Sequence, residues 1–460
     1  MTIREAASAL RARRVSPVDL TSTALARVER NQPLNAFITV LSDRAMERAR
    51  QAESELNAGK DRGPLHGIPI AIKDLFAMRG VRNTSGSKVF ENLVSDFNST
   101  VVDRLEAAGA VILGKLNMHE LAYGTSSDNP YFGAVRNPWN TERSPGGSSG
   151  GSGAAVAANI VYGAMGTDTG GSIRIPASYC GTVGLKPTYG RVSRYGVLPL
   201  GFTLDHMGPL TRTVRDAAIF LNAIAGRDPK DDTSSRHPTI DFVPDDHVSL
   251  RGMRIGFPEN FFFERVDPEV ESSVRGAIAR AASMGAELKP IRVPDMSAIN
   301  AVGQVTLLAE AAAIMEPYRE SRHLFSPEVL GRLDQGRLIS GVDYINAQRV
   351  RRRMRAEFAG LWQEVDCFVA PATPNTAPKI GEKNVRLGDA TEDARIASTR
   401  LVRGINVLGL PALSIPCGLN SQGMPIGLQI IGPPFDEAII LKAGAALEDG
   451  GVGIPPCPLA

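Results

Sequence analysis

Ser144-Pro-Gly-Gly-Ser-Ser-Gly-Gly-Ser-Gly153 and Gly166-Thr-Asp-Thr-Gly-Gly-Ser-Ile-Arg-Ile-Pro176 are two glycine–serine clusters set close together in a 460-residue chain. Polar, flexible clusters of this kind usually belong on a surface. Here Ala154-Ala-Val-Ala-Ala158 follows the first, and Ile160-Val-Tyr-Gly-Ala-Met165 leads into the second. Serine hydroxyls and bare backbone amides are thereby carried toward a core. A nucleophile and an anion-binding pocket can be built from main chain in this way.

Working outward, helical and strand patterns alternate. Gly67-Ile-Pro-Ile-Ala-Ile-Lys73 reads as a short apolar strand ending in lysine, Val101 to Ala108 as a helix, and Ala110-Val-Ile-Leu-Gly114 as a buried strand. Met253 to Phe257, Val365 to Pro371, Ala412 to Pro416 and Ile426 to Ile431 read as further strands. Continuous apolar strands between helices predict an α/β protein. Residues 1–60 read as helices, one starting at Pro17 and another running from Asp43 to Ala58. Leu210 to Ala225 predicts a helix capped by Thr211 or Thr213; residues 267–285 and 301–320 predict two more. Asp228 to Ser249 is polar and proline-containing, a surface connection within one domain. The C-terminal Gly450 to Ala460 reads as loop, with no role assigned.

Composition excludes several classes. The chain is 43% hydrophobic and 22% charged with a formal net charge of +2, ordinary for a soluble globular protein. That balance offers no surface for nucleic acid or membrane. Arg349-Val-Arg-Arg-Arg-Met-Arg355 is locally basic and reads as a solvated helix face. Cys180, Cys367, Cys417 and Cys457 lie far apart, which predicts reduced thiols in a cytoplasmic protein. No run of 18 or more apolar residues suggests a membrane span, and the N-terminus lacks a signal peptide's apolar core.

Several motif matches fail on context. Gly147-Ser-Ser149-Gly-Gly151 fits the nucleophile elbow, but the loop-like Asn137 to Pro145 precedes it where a strand is required. The glycines are not followed by Gly-Lys-Ser/Thr, so no phosphate loop is expected. His119-Glu120 begins like a zinc-protease motif, but position 123 is tyrosine, and no metal or other cofactor is expected. None of the six histidines sits in a setting that marks it as a base. Lys73 is the alternative. A lysine at a strand end ordinarily snorkels to solvent; a desolvated one can hold a neutral amine and take a serine proton. In Thr169-Gly-Gly-Ser172 the glycines allow consecutive amides to converge on one oxygen. Asp168 and Arg174 flank this turn, where a charge pair would hold it rigid.

Lys73, Gly146-Gly-Ser148-Ser-Gly-Gly151 and Gly166-Thr-Asp-Thr-Gly-Gly-Ser172-Ile-Arg together resemble the amidase signature family. The resemblance continues through Cys180 to Pro187, Leu204 to Leu210, Gly409 to Pro416 and Gly423 to Gly432, so it spans nearly the whole chain. It implies one α/β/α domain over residues 1–460 around a large mixed sheet flanked by helices. Within it, 1–60 would be a helical segment, 65–230 the catalytic core, and 250–460 the part completing the sheet and pocket. Carried over residue by residue, it implies a triad: Ser172 as nucleophile, Ser148 as bridging serine after a cis peptide, and Lys73 as base. The amides of Thr169, Gly170, Gly171 and Ser172 would form the oxyanion hole. Ser149, Asp168 and Arg174 would support the site, and Ala122, Tyr123, Gly124 and Thr125 would wall the substrate pocket.

The implied activity is hydrolysis of a small-molecule carboxamide through an acyl-enzyme on Ser172. The family also includes the glutaminase component of tRNA-dependent amidotransferases. That component commonly carries Gly-x-Arg-Tyr-Gly where this chain has Ala311 to Glu320, and Gln where it has Ile175. Phe325 to Leu333 and Gln335 to Ser340 look more like stand-alone amidases. A stand-alone amidase, admitting a homodimer, is therefore the expectation. The amidotransferase glutaminase is the alternative, and an inactive scaffold or binding component is a third reading. Tyr123 and Phe132 would suit an aromatic or aliphatic amide.

Overall fold

Val111-Ile-Leu-Gly-Lys-Leu116 is buried along its whole length, as a strand covered on both faces must be. The computed structural model, which describes residues 1–460, sets it inside a single large sheet. The strands are β1 (Phe37–Val40), β2 (Pro69–Lys73), β3 (Val111–Leu116), β4 (Gly163–Asp168), β5 (Val183–Lys186), β6 (His206–Thr211), β7 (Arg254–Pro258), β8 (Glu287–Ile291), β9 (Cys367–Pro371), β10 (Asn384–Leu387), β11 (Ala390–Asp393), β12 (Ala412–Leu419) and β13 (Pro425–Ile431). Eleven of them pair in the order β1-β3-β2-β4-β6-β5-β12-β13-β9-β7-β8, while β10 and β11 form a separate hairpin. The sheet is mixed: β3, β2 and β4 run parallel, as do β8, β7 and β9, and the remaining pairs are antiparallel. The first and last thirds of the chain share this one sheet, so the molecule is a single α/β domain.

The site is positioned by two interior strands of the sheet. β2 and β4 lie side by side, with Ile72 level with Met165. The helix Gly150–Ala157 packs on β2, β4 and β6 and is buried at every position. Only small residues allow that approach: a Cβ on Gly151 would sit 2.4 Å from the Asn117 carbonyl oxygen and 2.6 Å from that of Ala36. Next to this layer, the buried pair Lys115–Asp74, at 2.8 Å, spans β3 and the residue just beyond β2.

Some elements differ from the sequence reading. Phe37–Val40 is an edge strand inside the segment read as wholly helical. Residues 206–211 form β6, so the helix expected from Leu210 starts only at Val214, with Thr213 as its N-cap. The expected helix over 301–320 runs from Met296 to Met315, then tightens into a 3₁₀ segment. The segment Met296–Leu324 is long and apolar enough to cross a membrane. Half of its most apolar 18-residue stretch is buried, and the helix packs against the helices Pro327–Arg337, Gly341–Ala359 and Arg403–Leu408, as a core helix does. In the basic run, Arg349, Arg352, Arg353 and Arg355 are not buried, but Arg351 is, and it donates to the carbonyls of Val407 and Thr203. It ties its helix to the helix Arg403–Leu408 and to the turn just before β6, and does not present charge to solvent.

Candidate active site

Lys73 closes β2 and is fully buried, with no acid beside it to pair its charge. Its Nζ lies 2.7 Å from Ser148 Oγ and 2.7 Å from Thr167 Oγ1. Burial lowers its pKa to about 7, against a smaller upward pull from Asp205 and Asp168. An amine so placed is substantially neutral near pH 7 and can accept a proton from Ser148. Ser148 is itself buried and follows a cis Gly147–Ser148 peptide. The Ser148 carbonyl accepts from the His119 amide at 3.2 Å.

Ser172 stands in the second glycine–serine loop, immediately before the helix Arg174–Cys180. The two loops touch: the Ser149 amide donates to the Ser172 carbonyl at 3.3 Å, and Ser149 Oγ bridges the Thr167 amide and carbonyl. The Ser172 side chain lines a small cavity whose near wall is Ala122, Tyr123, Gly124 and Thr125. Its hydroxyl makes no hydrogen bond within the protein and is free to meet a ligand.

Asp168 organises this loop. Its carboxylate accepts from the Gly171 amide at 2.7 Å, the Ile173 amide at 3.2 Å and Asn406 Nδ2 at 2.8 Å. Arg174 donates to both of its oxygens, at 3.0 and 3.1 Å. Burial alone would raise this carboxyl, but the Arg174 guanidinium and these donors hold it well below the ordinary carboxylate range. The Gly171 amide is thus already engaged, which corrects its assignment to the oxyanion hole. The amides of Thr169, Gly170 and Ser172 carry no such bond and remain available to a developing oxyanion. Gly171 has φ +120°, and a Cβ there would lie 2.4 Å from Val402 Cγ2. The loop can take this path only with glycine.

Residues 19–441 match the family model described as Amidase. The chain belongs to the amidase family. Among its relatives, the glutamyl-tRNA(Gln) amidotransferase A subunit of Geobacter sp. (strain M21) is 41% identical over 474 residues, covering 97% of this chain and 96% of the relative. Among solved structures, one described as an unexpected vestigial protein complex revealing the evolutionary origins of an s-triazine catabolic enzyme is 36% identical with a TM-score of 0.95, covering 98% of this chain and 99% of that one. Another, described as an amidase, is 35% identical with a TM-score of 0.90, covering 98% of this chain and 100% of that one.

Around the site of this amidase stand further residues that sequence reasoning passed over. Thr167 sits inside the quoted motif, yet only the structure shows it beside Lys73. Asp205 is buried and takes the Thr169 hydroxyl at 2.5 Å and the Leu200 amide at 2.9 Å, fixing one side of the loop. Burial raises its pKa to about 6. Gln429 is a polar residue in the apolar strand β13, a signal available in the sequence; it accepts from Arg174 at 3.2 Å. His119 is buried beside Gly124, and burial lowers its pKa to about 4, so it is neutral. Ile175 lies in an apolar cluster with Tyr179, Val402 and Met424. Its identity therefore reports packing and carries no weight in choosing between amidase types. Phe132 does not line the cavity over Ser172, while Tyr123 does.

Proposed function

We propose that this amidase hydrolyses a carboxamide at Ser172, with Ser148 and Lys73 relaying the proton. The observation carrying this reading is the 2.7 Å contact between Lys73 Nζ and Ser148 Oγ in a buried site next to Ser172. Ser172 Oγ attacks the amide carbonyl and gives its proton to Ser148, whose own proton passes to the neutral amine of Lys73. The negative charge on the carbonyl oxygen meets the amides of Thr169, Gly170 and Ser172. The relay then runs in reverse, protonating the leaving nitrogen so that the C–N bond breaks and ammonia or an amine departs. Water attacks the acyl-Ser172 ester by the same route and releases the carboxylate. No cofactor enters this scheme. Four unpaired cysteines support a cytoplasmic setting.

A second reading has a specific observation behind it. The Geobacter relative, named for a glutamyl-tRNA(Gln) amidotransferase, matches over almost its whole length. That favours the glutaminase of a multi-component enzyme over the stand-alone amidase expected from sequence. Ammonia release from simple amides and from glutamine, by the purified chain and by Ser172→Ala, tests both. Ser172-dependent release from simple amides by the chain alone supports the stand-alone enzyme. Activity on glutamine alone, and only with added partner proteins, supports the amidotransferase reading. Release that survives Ser172→Ala would overturn the mechanism in either form.

A further inference from the structure

Glu310 is buried on the helix Met296–Met315, one turn beyond Leu307, which lines the cavity over Ser172. Its carboxylate accepts from three neutral donors and no cation: the Thr203 amide at 3.0 Å, the Thr203 hydroxyl at 2.6 Å and the Tyr344 hydroxyl at 2.9 Å. Arg351 reaches the same threonine instead, donating to its hydroxyl at 2.9 Å and its carbonyl at 2.8 Å. Every polar group of Thr203 is therefore held from the helices Met296–Met315 and Gly341–Ala359. A buried carboxylate with no cation against it is costly, and such departures gather at functional sites.

Thr203 belongs to the turn 200–205, in which the Gly201 carbonyl accepts the amides of Leu204 and Asp205, both at 2.8 Å. The Asp205 carboxylate closes the turn on the Leu200 and Gly201 amides and takes the Thr169 hydroxyl. Gly201 leaves little slack: a Cβ there would lie 3.3 Å from Thr169 Cγ2 and 3.4 Å from Glu310 Oε2. In the Ser172 loop, Asn406 holds the Asp168 carbonyl at 2.8 Å, and with it the peptide that carries the Thr169 amide. The next peptide, which carries the Gly170 amide, makes no backbone hydrogen bond, and a Cβ on Gly170 would meet nothing nearer than 3.8 Å. Its anchor is the Thr169 side chain. The geometry points to Glu310 as a positioning residue: through Thr203 it fixes the turn that seats Thr169, and so aims the Gly170 amide at the developing oxyanion. This rests on Ser172 being the nucleophile.

Methanesulfonyl fluoride tests the hole whatever the natural amide is. Ser172 Oγ displaces fluoride from sulfur, its proton passing to Ser148 and Lys73, while a sulfonyl oxygen gathers charge in the hole. The sulfonylation rate of the full-length protein is read by mass, intact and at the Ser172 peptide. Glu310→Ala should slow labelling at least about tenfold, against the roughly 10²–10³ that losing a whole oxyanion donor costs. Glu310→Gln, whose amide oxygen still takes the Thr203 N–H, should recover most of the rate. Tyr344→Phe removes a bond to the same carboxylate away from Thr203; it should lower the melting temperature while changing the rate less than about threefold. If propionamide is hydrolysed, Glu310→Ala should lower kcat and leave KM within about twofold. A Glu310→Ala rate equal to the parent's would overturn the proposal and leave Ser172 in place. Rate losses that track the melting temperature alike in Glu310→Ala and Tyr344→Phe would do the same. Should Glu310→Ala fail to fold, Thr203→Val, which loses one of the two bonds, carries the comparison, and an unchanged rate there overturns it. A parent that takes no label at Ser172 and releases no ammonia removes the nucleophile itself, and the positioning role falls with it.

Discussion

Lys73 Nζ shares its 2.7 Å contact with Ser148 with a second one of equal length to Thr167 Oγ1, so two hydroxyls face one amine. Hydroxyl oxygens accept from an ammonium, and each therefore favours the protonated form. Thr167→Val keeps the shape and removes one acceptor. The amine should then titrate lower and point less well at Ser148. We expect kcat to fall about tenfold, the worth of one hydrogen bond of about 1.4 kcal/mol, with KM little changed. The acid limb of the rate profile should move to lower pH; a shift upward would refute the assignment of Thr167 as an acceptor.

The pH dependence of the parent enzyme follows from Lys73. With its pKa lowered to about 7 by burial, the amine is neutral above that value and charged below it. Only the neutral form takes a proton, so kcat/KM should drop as pH falls through about 7. Lys73→Ala should lose most activity and, in what remains, this limb. A parent profile flat from about pH 8 to about pH 5.5, with the fold intact by circular dichroism, would exclude Lys73 as the base.

Asp168 and Arg174 are both fully buried and hold each other in a paired geometry. Removing one partner strands the other charge. Asp168→Ala should therefore destabilise the protein by about 3–5 kcal/mol. Arg174→Met should cost a comparable amount, since four donors to Asp168 remain but the carboxylate loses its cation. Thermal melts of both variants check this; an unchanged melting temperature in either would show that the pair is not structural.

Gly171→Ala tests the loop path with a single methyl group. At φ +120° the new Cβ would lie 2.4 Å from Val402 Cγ2 and 2.8 Å from Ile175 Cδ1. The strained backbone alone costs on the order of 1–3 kcal/mol. Ammonia release should fall by more than about tenfold, and Val402→Ala added to it should restore part of the loss.

Strands β2, β3, β7, β9, β12 and β13 were legible because a strand buried in the sheet reads as a mostly apolar run, as 67–73 and 426–431 do; β4 and β5 were missed because they are short and broken by glycine or ended by a charged residue, and β8 because it is a mostly exposed edge strand. β6 was missed too, since His206-Met-Gly-Pro-Leu-Thr211 contains proline and glycine and runs directly into a helical pattern. β1 was hidden by its half-exposed edge position among helices. In the site, Lys73, Ser148 and Ser172 were legible only together, through their resemblance in order and spacing to the family's motif; alone, a lysine at a strand end and a Gly-Gly-Ser turn read as ordinary surface features. Arg395 and Arg403, which line the cavity over Ser172, gave no local sign, because an arginine on a helix looks solvated until the fold turns its face inward. Asp205 and Asn406 were invisible for a related reason: their partners are fixed by tertiary contact, not by spacing along the chain.

The ties that finish the Ser172 loop come from far downstream. Arg174 donates to the Val402 carbonyl, to Asn406 and to Gln429, which lie 228, 232 and 255 positions later. A chain leaving the ribosome thus carries Lys73, Ser148 and Ser172 for roughly 10–50 s before the residues that seat Arg174 are made. For that interval Arg174 has Asp168 as its partner but lacks the downstream acceptors that fix the far side of its guanidinium. Synthesis itself would then act as a timer: a nascent chain, or one cut short before residue 402, holds the three proposed reacting groups and is expected to hydrolyse nothing until the rest of the sheet is made.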